Sequence, residues 1–430
     1  MKKIITLFVL TLIVASGFAQ VQLNNELKQL INTSFAFFPK VKEVENTLLT
    51  AQEKLNLTKL SNTISINGIG SYTFIDPTPK VFFPVNGVDK AFEFQPKHNV
   101  NTAVMGNYIV ADFGRLKAAI ERSKDELQFA NHNLENTQLQ LANQVALVYY
   151  NICFYKKAIS IQDSILAFLN ENKKIISSKI KDGDGLKIDL LNIQANIDNE
   201  ENKKIDLLNI LQKQQYLLKY TTGVNEIKGY LFDFDLPNLA IDEYVKKATE
   251  NNVDLLLIKD KIKQTEHDIA ITNLQDKPLI NLNAGAGFRN GIQPNITDFR
   301  FNYLAGVSLV FPIYTGGKTK QQVKLQQTFI KQNELAITSL QSNFQKDIEQ
   351  SYSDIATLSS RIGNTKGQID QAIYAQQLAS IRYKNGVGTN LELINAGTNL
   401  QRAELTRLQY QYQLCLAKVD LAKIMAIKYW

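Results

Sequence analysis

The sequence predicts an α+β membrane protein made of two copies of one unit, each a β-hairpin followed by a long helical hairpin. Three observations predict it. The N-terminus reads as an export signal. The chain repeats itself at an offset of 203 residues. Segments with apolar residues at every second position alternate with segments where they recur every third or fourth.

The signal comes first in the chain. Lys2 and Lys3 precede an apolar run from Ile4 to Ala15, and Gly17-Phe18-Ala19 supplies the small residues a signal peptidase requires. Residues 1–19 are therefore expected to be removed. An uncleaved anchor helix is the alternative, but the run is shorter than the ~20 residues that span a bilayer. No cysteine follows the run, so no lipid anchor is expected. Beyond residue 19 no stretch is long and apolar enough for a transmembrane helix. Any membrane-spanning part must then be a closed β-barrel, because only helices and barrels satisfy their backbone in lipid.

The repeat sets the organisation. Gly114-Arg115 falls on Gly317-Lys318, Tyr149 on Tyr352, and Ile152 on Ile355. Lys181-Asp182-Gly183-Asp184-Gly185 falls on Lys384-Asn385-Gly386-Val387-Gly388, and Asp189-Leu190-Leu191-Asn192 on Glu392-Leu393-Ile394-Asn395. A looser echo lies upstream, where helical patterns at Pro39 to Lys59 and Val253 to Asp276 each lead into a strand. The chain divides as follows: signal 1–19; first repeat 20–220; a mixed segment 221–252, read as a small side domain or belt; second repeat 253–430.

Each repeat opens with strands. Ile64, Ile66, Tyr72 and Phe74 alternate with Ser65, Asn67, Ser71 and Thr73; Val100, Val104, Tyr108 and Val110 keep the same period. In the copy, Ile280 to Phe288 and Phe299 to Leu309 alternate likewise. Period two puts these apolar side chains on one face and Asn, Ser, Thr, Gly and Arg on the other. Strand pattern alone fits either a lipid-facing band with a wet lumen or a half-exposed soluble sheet. Export and the helices that follow favour the lipid-facing band.

Those helices are long. Arg115 to Asp182 and Lys318 to Asn385 are each 68 residues without proline, a reach of roughly 100 Å. Leu134, Leu141, Val145, Val148, Ile152, Tyr155 and Ile159 show coiled-coil spacing, as do Leu405, Leu408, Tyr412, Cys415 and Val419. Each helix ends at a glycine pair, Gly183 with Gly185 or Gly386 with Gly388, which permits a left-handed cap and reversal. Helical pattern resumes over Ile188 to Lys219 and Leu391 to Met425. The tips therefore lie near 181–188 and 384–391. The second helix of each hairpin is the shorter, so the first must break or extend past it.

Composition narrows the function. Hydrophobic residues make up 44% and charged residues 21%, and there are nine prolines, which suits long helices. The net charge of +7 falls to +5 without the two signal lysines. No basic cluster interleaves with aromatics, so nucleic acid is not an expected partner. Cys153 and Cys415 sit in apolar helical patterns and read as buried thiols rather than as a disulfide. His98, His132 and His267 share no metal-ligand spacing and belong to no triad. No enzyme chemistry, cofactor or metal is expected.

The combination resembles the TolC-like outer-membrane efflux family over essentially the whole mature chain. Its most specific pieces are Arg382-Tyr383-Lys384-Asn385-Gly386-Val387-Gly388-Thr389 with Leu391-Glu392-Leu393-Ile394-Asn395, which look like the family's hairpin tip. Phe311-Pro312-Ile313-Tyr314-Thr315-Gly316-Gly317-Lys318 looks like its strand exit, and Asn251-Asn252-Val253-Asp254-Leu255 like the start of its second repeat. The resemblance implies a homotrimer closing one twelve-stranded β-barrel over a periplasmic α-helical tunnel. It implies an outer-membrane exit duct for a tripartite efflux or type I secretion system, with a periplasmic adaptor docking at the tips and an inner-membrane pump below.

By the same resemblance, Gly183, Gly185, Gly386 and Gly388 mark the adaptor-docking tips. Asp189 and Glu392 match the family's acidic constriction and Tyr383 its gate tyrosine, with Asp182 and Asp184 adding charge. Gly388 stands where some members carry an arginine, and Asn395 where some carry a second acid. Asp189 and Glu392 also suit a helix N-terminus in any protein. A trimeric outer-membrane adhesin with a coiled-coil stalk is the alternative function.

Overall fold

A computed structural model describes residues 25–229 and 232–430. The expected signal, 1–19, lies outside the described residues. The chain forms α1 (Asn25–Phe37), α2 (Pro39–Leu60), β1 (Ser65–Phe74), β2 (Lys80–Val85), β3 (Val88–Glu93), β4 (His98–Ala111), α3 (Arg115–Lys181) and α4 (Lys187–Thr222). There follow α5 (Ile241–Asn251), α6 (Val253–Leu274), β5 (Leu279–Arg289), β6 (Arg300–Val310), α7 (Lys318–Lys384) and α8 (Asn390–Ile424). The long helices α3 and α7 start and end 203 residues apart, each an unbroken 67 residues. They extend past α4 and α8, which have 36 and 35 residues.

The chain forms two compact units, each drawing on both repeats. One holds residues 46–132 and 257–337; the other holds the described residues among 25–45, 133–256 and 338–430.

The first unit carries the strands. One four-stranded antiparallel sheet runs in the order β1-β4-β5-β6. The pairs Gly68↔Val104, Val104↔Ala286 and Ala286↔Tyr303 fix its register. Directly paired residues share a face, so Ile66, Tyr72, Phe74, Val104, Tyr108, Leu282, Phe288, Phe301, Tyr303, Val307 and Leu309 all lie together. These side chains are all exposed, Tyr303 by 81%. The other face holds Ser, Asn, Thr, Gly and Arg, with Ile69, Met105, Ile109 and Leu304 among them. Its side chains are the more crowded: along β5, residues 281, 283, 285 and 287 are half-buried while 282, 284, 286 and 288 are exposed. A Cβ on Gly287 would lie 2.0 Å from the Thr102 carbonyl oxygen, so only glycine allows this approach of β5 to β4. The expected alternation of β4 breaks at its end, where a bulge at Val110 brings Ala111 opposite Ile280.

Between β1 and β4 the chain adds the hairpin β2–β3, turning at Asn86-Gly87 with φ of 56° and 75°. Both residues have the positive φ of a type I′ turn. At the sheet's exit Asp112 caps α3, its carboxylate accepting from the backbone of Gly114 (3.0 Å) and Leu116 (2.6 Å). Arg115 in turn caps α6 by donating to the carbonyls of Leu274, Gln275 and Lys277. Further along, α3 and α6 are joined by Arg122–Asp268 at 2.9 Å and by two His–Asp pairs of swapped polarity, His267–Asp125 and His132–Asp260.

The second unit has a helical core. Tyr149, Tyr150, Ile152 and Cys153 of α3 pack with Leu27 and Ile31 of α1, Leu218 of α4, and Cys415 and Val419 of α8. Both cysteines are free, and burial pushes both thiols up to about 12. From the mixed segment, Ile227 and Phe234 enter this same core, and among its described residues α5 is the one regular helix.

Candidate functional site

The helical tips form within the second unit. At the end of α3, Gly183 adopts φ +88°, and at the end of α7, Gly386 adopts φ +76°. Both are left-handed caps that a side chain would strain. Gly185 and Gly388 serve differently: a Cβ on Gly185 would lie 2.6 Å from the Ile180 backbone nitrogen, and one on Gly388 3.1 Å from that of Tyr383. Each tip thus uses one glycine for its dihedral, and a second where the chain returns closely, which only glycine allows at 185 and which is tight at 388.

Asp189 and Glu392 both lie in the first turn of their helices. Around Glu392 a capping interaction forms, with Thr389 Oγ1 accepting from the Glu392 backbone at 3.2 Å. Its carboxylate lies 4.0 Å from Arg382, in an exposed pair. Asp189 is half-buried, and its carbonyl accepts from the Asn390 side chain at 3.4 Å. Asp182 and Asp184 are exposed at the first tip.

Tyr383 is only 6% exposed and belongs to a cluster with Ile176, Ile193, Leu393 and Ile394. Burial, and next the nearby Asp189, push its hydroxyl pKa above the ordinary tyrosine value. The structure therefore brings Tyr383 and Asp189 together and leaves Glu392, Asp182 and Asp184 at the exposed surface.

Residues that the sequence did not single out complete the arrangement. Lys179 donates to the Tyr383 carbonyl at 2.7 Å and sits 4.5 Å from the Tyr383 ring centre. This ties one hairpin to the other. Higher up, Gln162 of α3 and Gln401 of α8 donate to the Glu200 carboxylate of α4 at 2.6 and 3.0 Å, and Lys203 approaches it at 2.7 Å. Burial pushes the Glu200 carboxyl pKa up, but these hydrogen bonds and the Lys203 charge outweigh it and hold the net value below the ordinary one. Gly397 lets α8 rest on the Phe168 ring, where a Cβ would meet it at 2.3 Å. The basic last turn of α3, with Lys179 and Lys181, was the only sequence signal for any of this.

Residues 244–426 match the sequence profile of the family described as Outer membrane efflux protein. Over these residues the chain is similar to that outer-membrane family. It is an outer-membrane protein. The chain is 20% identical over 322 residues to Outer membrane efflux protein BepC of Brucella suis biovar 1 (strain 1330), covering 73% of this chain and 69% of that one. Its fold matches the solved structure of CusC with a TM-score of 0.79 at 14% identity, over 96% of this chain and 95% of that one. It matches VceC from Vibrio cholerae with a TM-score of 0.77 at 16% identity, over 94% and 97%. The fold is that of TolC-like channels. Neither the family nor the fold supports a stalked adhesin.

Proposed function

We propose that three copies of this chain close one twelve-stranded barrel and form the passive exit duct of a tripartite efflux or type I secretion system. The observation that carries this is the single apolar face running through all four strands, with most of its large side chains exposed in one chain. Only lipid suits so large an exposed band. In lipid the sheet edges β1 and β6 cannot stay open. Successive strands run in opposite directions, so β6 of one copy meets β1 of the next antiparallel, and closure is regular. Two copies would give eight strands, a size whose interior side chains fill; three give twelve and leave a lumen.

The helices support the same assembly. Leu191, Ile205 and Tyr216 of α4 and Phe329, Tyr374 and Leu378 of α7 are exposed apolar side chains that neighbouring copies would cover. The glycine-turned tips are the docking site for the helical hairpins of a periplasmic adaptor linked to an inner-membrane pump. Threefold symmetry turns Asp189 and Glu392, with Asp182 and Asp184, into carboxylate rings that attract cations. Tyr383, held by Lys179, ties the two hairpins of one copy and so controls how far a tip can open.

Mass measurement on the protein extracted from outer membranes tests the assembly. Three copies per particle are expected; a monomer or a two-copy particle would rule the twelve-stranded barrel out.

A further inference from the structure

The polar face of the sheet carries a charge pattern that conduction alone does not require. Within the four strands the only Lys, Arg, Asp or Glu side chains are Arg289 and Arg300. The register pairs them directly, at the last position of β5 and the first of β6. Both lie on the crowded polar face, with Asn101 next across the seam from Arg289. Two like charges directly opposite each other weaken a strand pair, so their placement needs a compensating partner. Within the chain they have little. Arg300 makes two long contacts, 3.4 Å to the Gln293 carbonyl and 3.4 Å to the exposed Asp298 carboxylate. Arg289 makes none among the described residues. Around the β2–β3 hairpin, Lys80 pairs with Glu93 at 2.8 Å and Lys97 with Asp76 at 2.9 Å.

We propose that Arg289 and Arg300 form an anion-binding site on the lumenal face of the barrel mouth, which takes phosphate- or carboxylate-bearing solutes as they leave. This rests on the duct reading, since it needs the polar face to line a lumen. Side-by-side guanidinium groups present parallel N–H forks that match such groups bidentately. Threefold closure makes a ring of six guanidinium groups around otherwise neutral Asn, Ser and Thr side chains. The ring opposes, in sign, the carboxylates of the helical tips. Cations are drawn in by one set of charges, and anionic groups are bound and released at the other.

The test is electrical, in bilayers of zwitterionic lipid so that no anionic headgroup competes. Wild type and the R289Q/R300Q variant are compared across a potassium chloride gradient, with pyrophosphate added on the barrel-mouth side. The variant should shift its reversal potential toward cation selectivity and need at least tenfold more pyrophosphate for half-block. R289K/R300K should keep the wild-type reversal potential but lose pyrophosphate sensitivity, because it keeps charge without the fork. A variant that conducts with unchanged block overturns the arginine site and leaves the duct standing; a wild type that never conducts overturns the duct itself. Phosphorus NMR of pyrophosphate gives an answer that does not depend on gating. Line broadening by wild-type protein and none by R289Q/R300Q supports the site, and equal broadening by both overturns it.

Discussion

Replacing Glu200 with glutamine should loosen the contact among α3, α4 and α8 by about 2 kcal/mol. Glu200 is 5% exposed and accepts from Gln162 and Gln401, at 2.6 and 3.0 Å. Gln162 and Gln401 share one carboxylate oxygen, so glutamine can still accept from both, but without the charge, and its amide nitrogen then faces the Lys203 ammonium. A bond to a charged group is worth about 1.5–3 kcal/mol against about 0.5–1.5 for a neutral one, so each of the two bonds loses about 1 kcal/mol. The Lys203 side chain is 61% exposed, so its ion pair adds at most about 1 kcal/mol. Hydrogen exchange on peptides spanning residues 190–210 is the assay, and about 2 kcal/mol should speed exchange roughly thirtyfold at pH 7. The pH dependence has a definite sign. The folded carboxyl pKa lies below its ordinary value, so its stabilisation is present above the unfolded value of about 4.3 and is lost as pH falls through the folded one. The gap between wild type and Glu200→Gln should therefore close in acid. Equal exchange at pH 7, or a gap that widens on acidification, would refute the reasoning.

Gly287→Val should stop accumulation in the outer membrane, because its Cβ meets backbone at 2.0 Å across β4 and β5, whereas Gly68→Val, with nothing within 4 Å, should accumulate normally by fractionation and blotting. Lys179→Met should free the tips by roughly 1–2 kcal/mol, through loss of the bond to the Tyr383 carbonyl and of the ring contact, and raise protease cutting at 182–186 and 385–389 about five- to thirtyfold. Asp189→Asn with Glu392→Gln should lower cation selectivity; an unchanged reversal potential would place the constriction elsewhere.

Much of the architecture is legible in the sequence because it is local and periodic. The 203-residue offset reappears in the ends of α3 and α7, and Gly183 and Gly386 do the capping that their position suggests. Period two assigned most strand residues to faces, which the register of the four strands then joined into one band. The elements α1, β2, β3 and α5 were missed, the first three although their signals were present. Leu27, Leu30, Ile31 and Ser34 mark the buried side of α1, and Asn86-Gly87 marks the β2–β3 turn.

The site was less legible. Tyr383 and Lys179 are 204 residues apart, and Gln401 and Glu200 are 201 apart. Such partners are set by how hairpins pack, and neither helical period nor spacing encodes them. The two tips are also less alike than the repeat suggests. Thr389 caps α8 and Glu392 pairs with Arg382, whereas Leu186 at the start of α4 makes no side-chain cap.

Planar-bilayer recording on the purified, intact protein tests most directly whether the assembled protein is a duct. Discrete conductance steps are predicted, favouring cations in the wild type and less so in Asp189→Asn/Glu392→Gln. Correctly assembled particles that pass no current at any voltage, salt concentration or pH, even with the tips loosened by Lys179→Met, would contradict it.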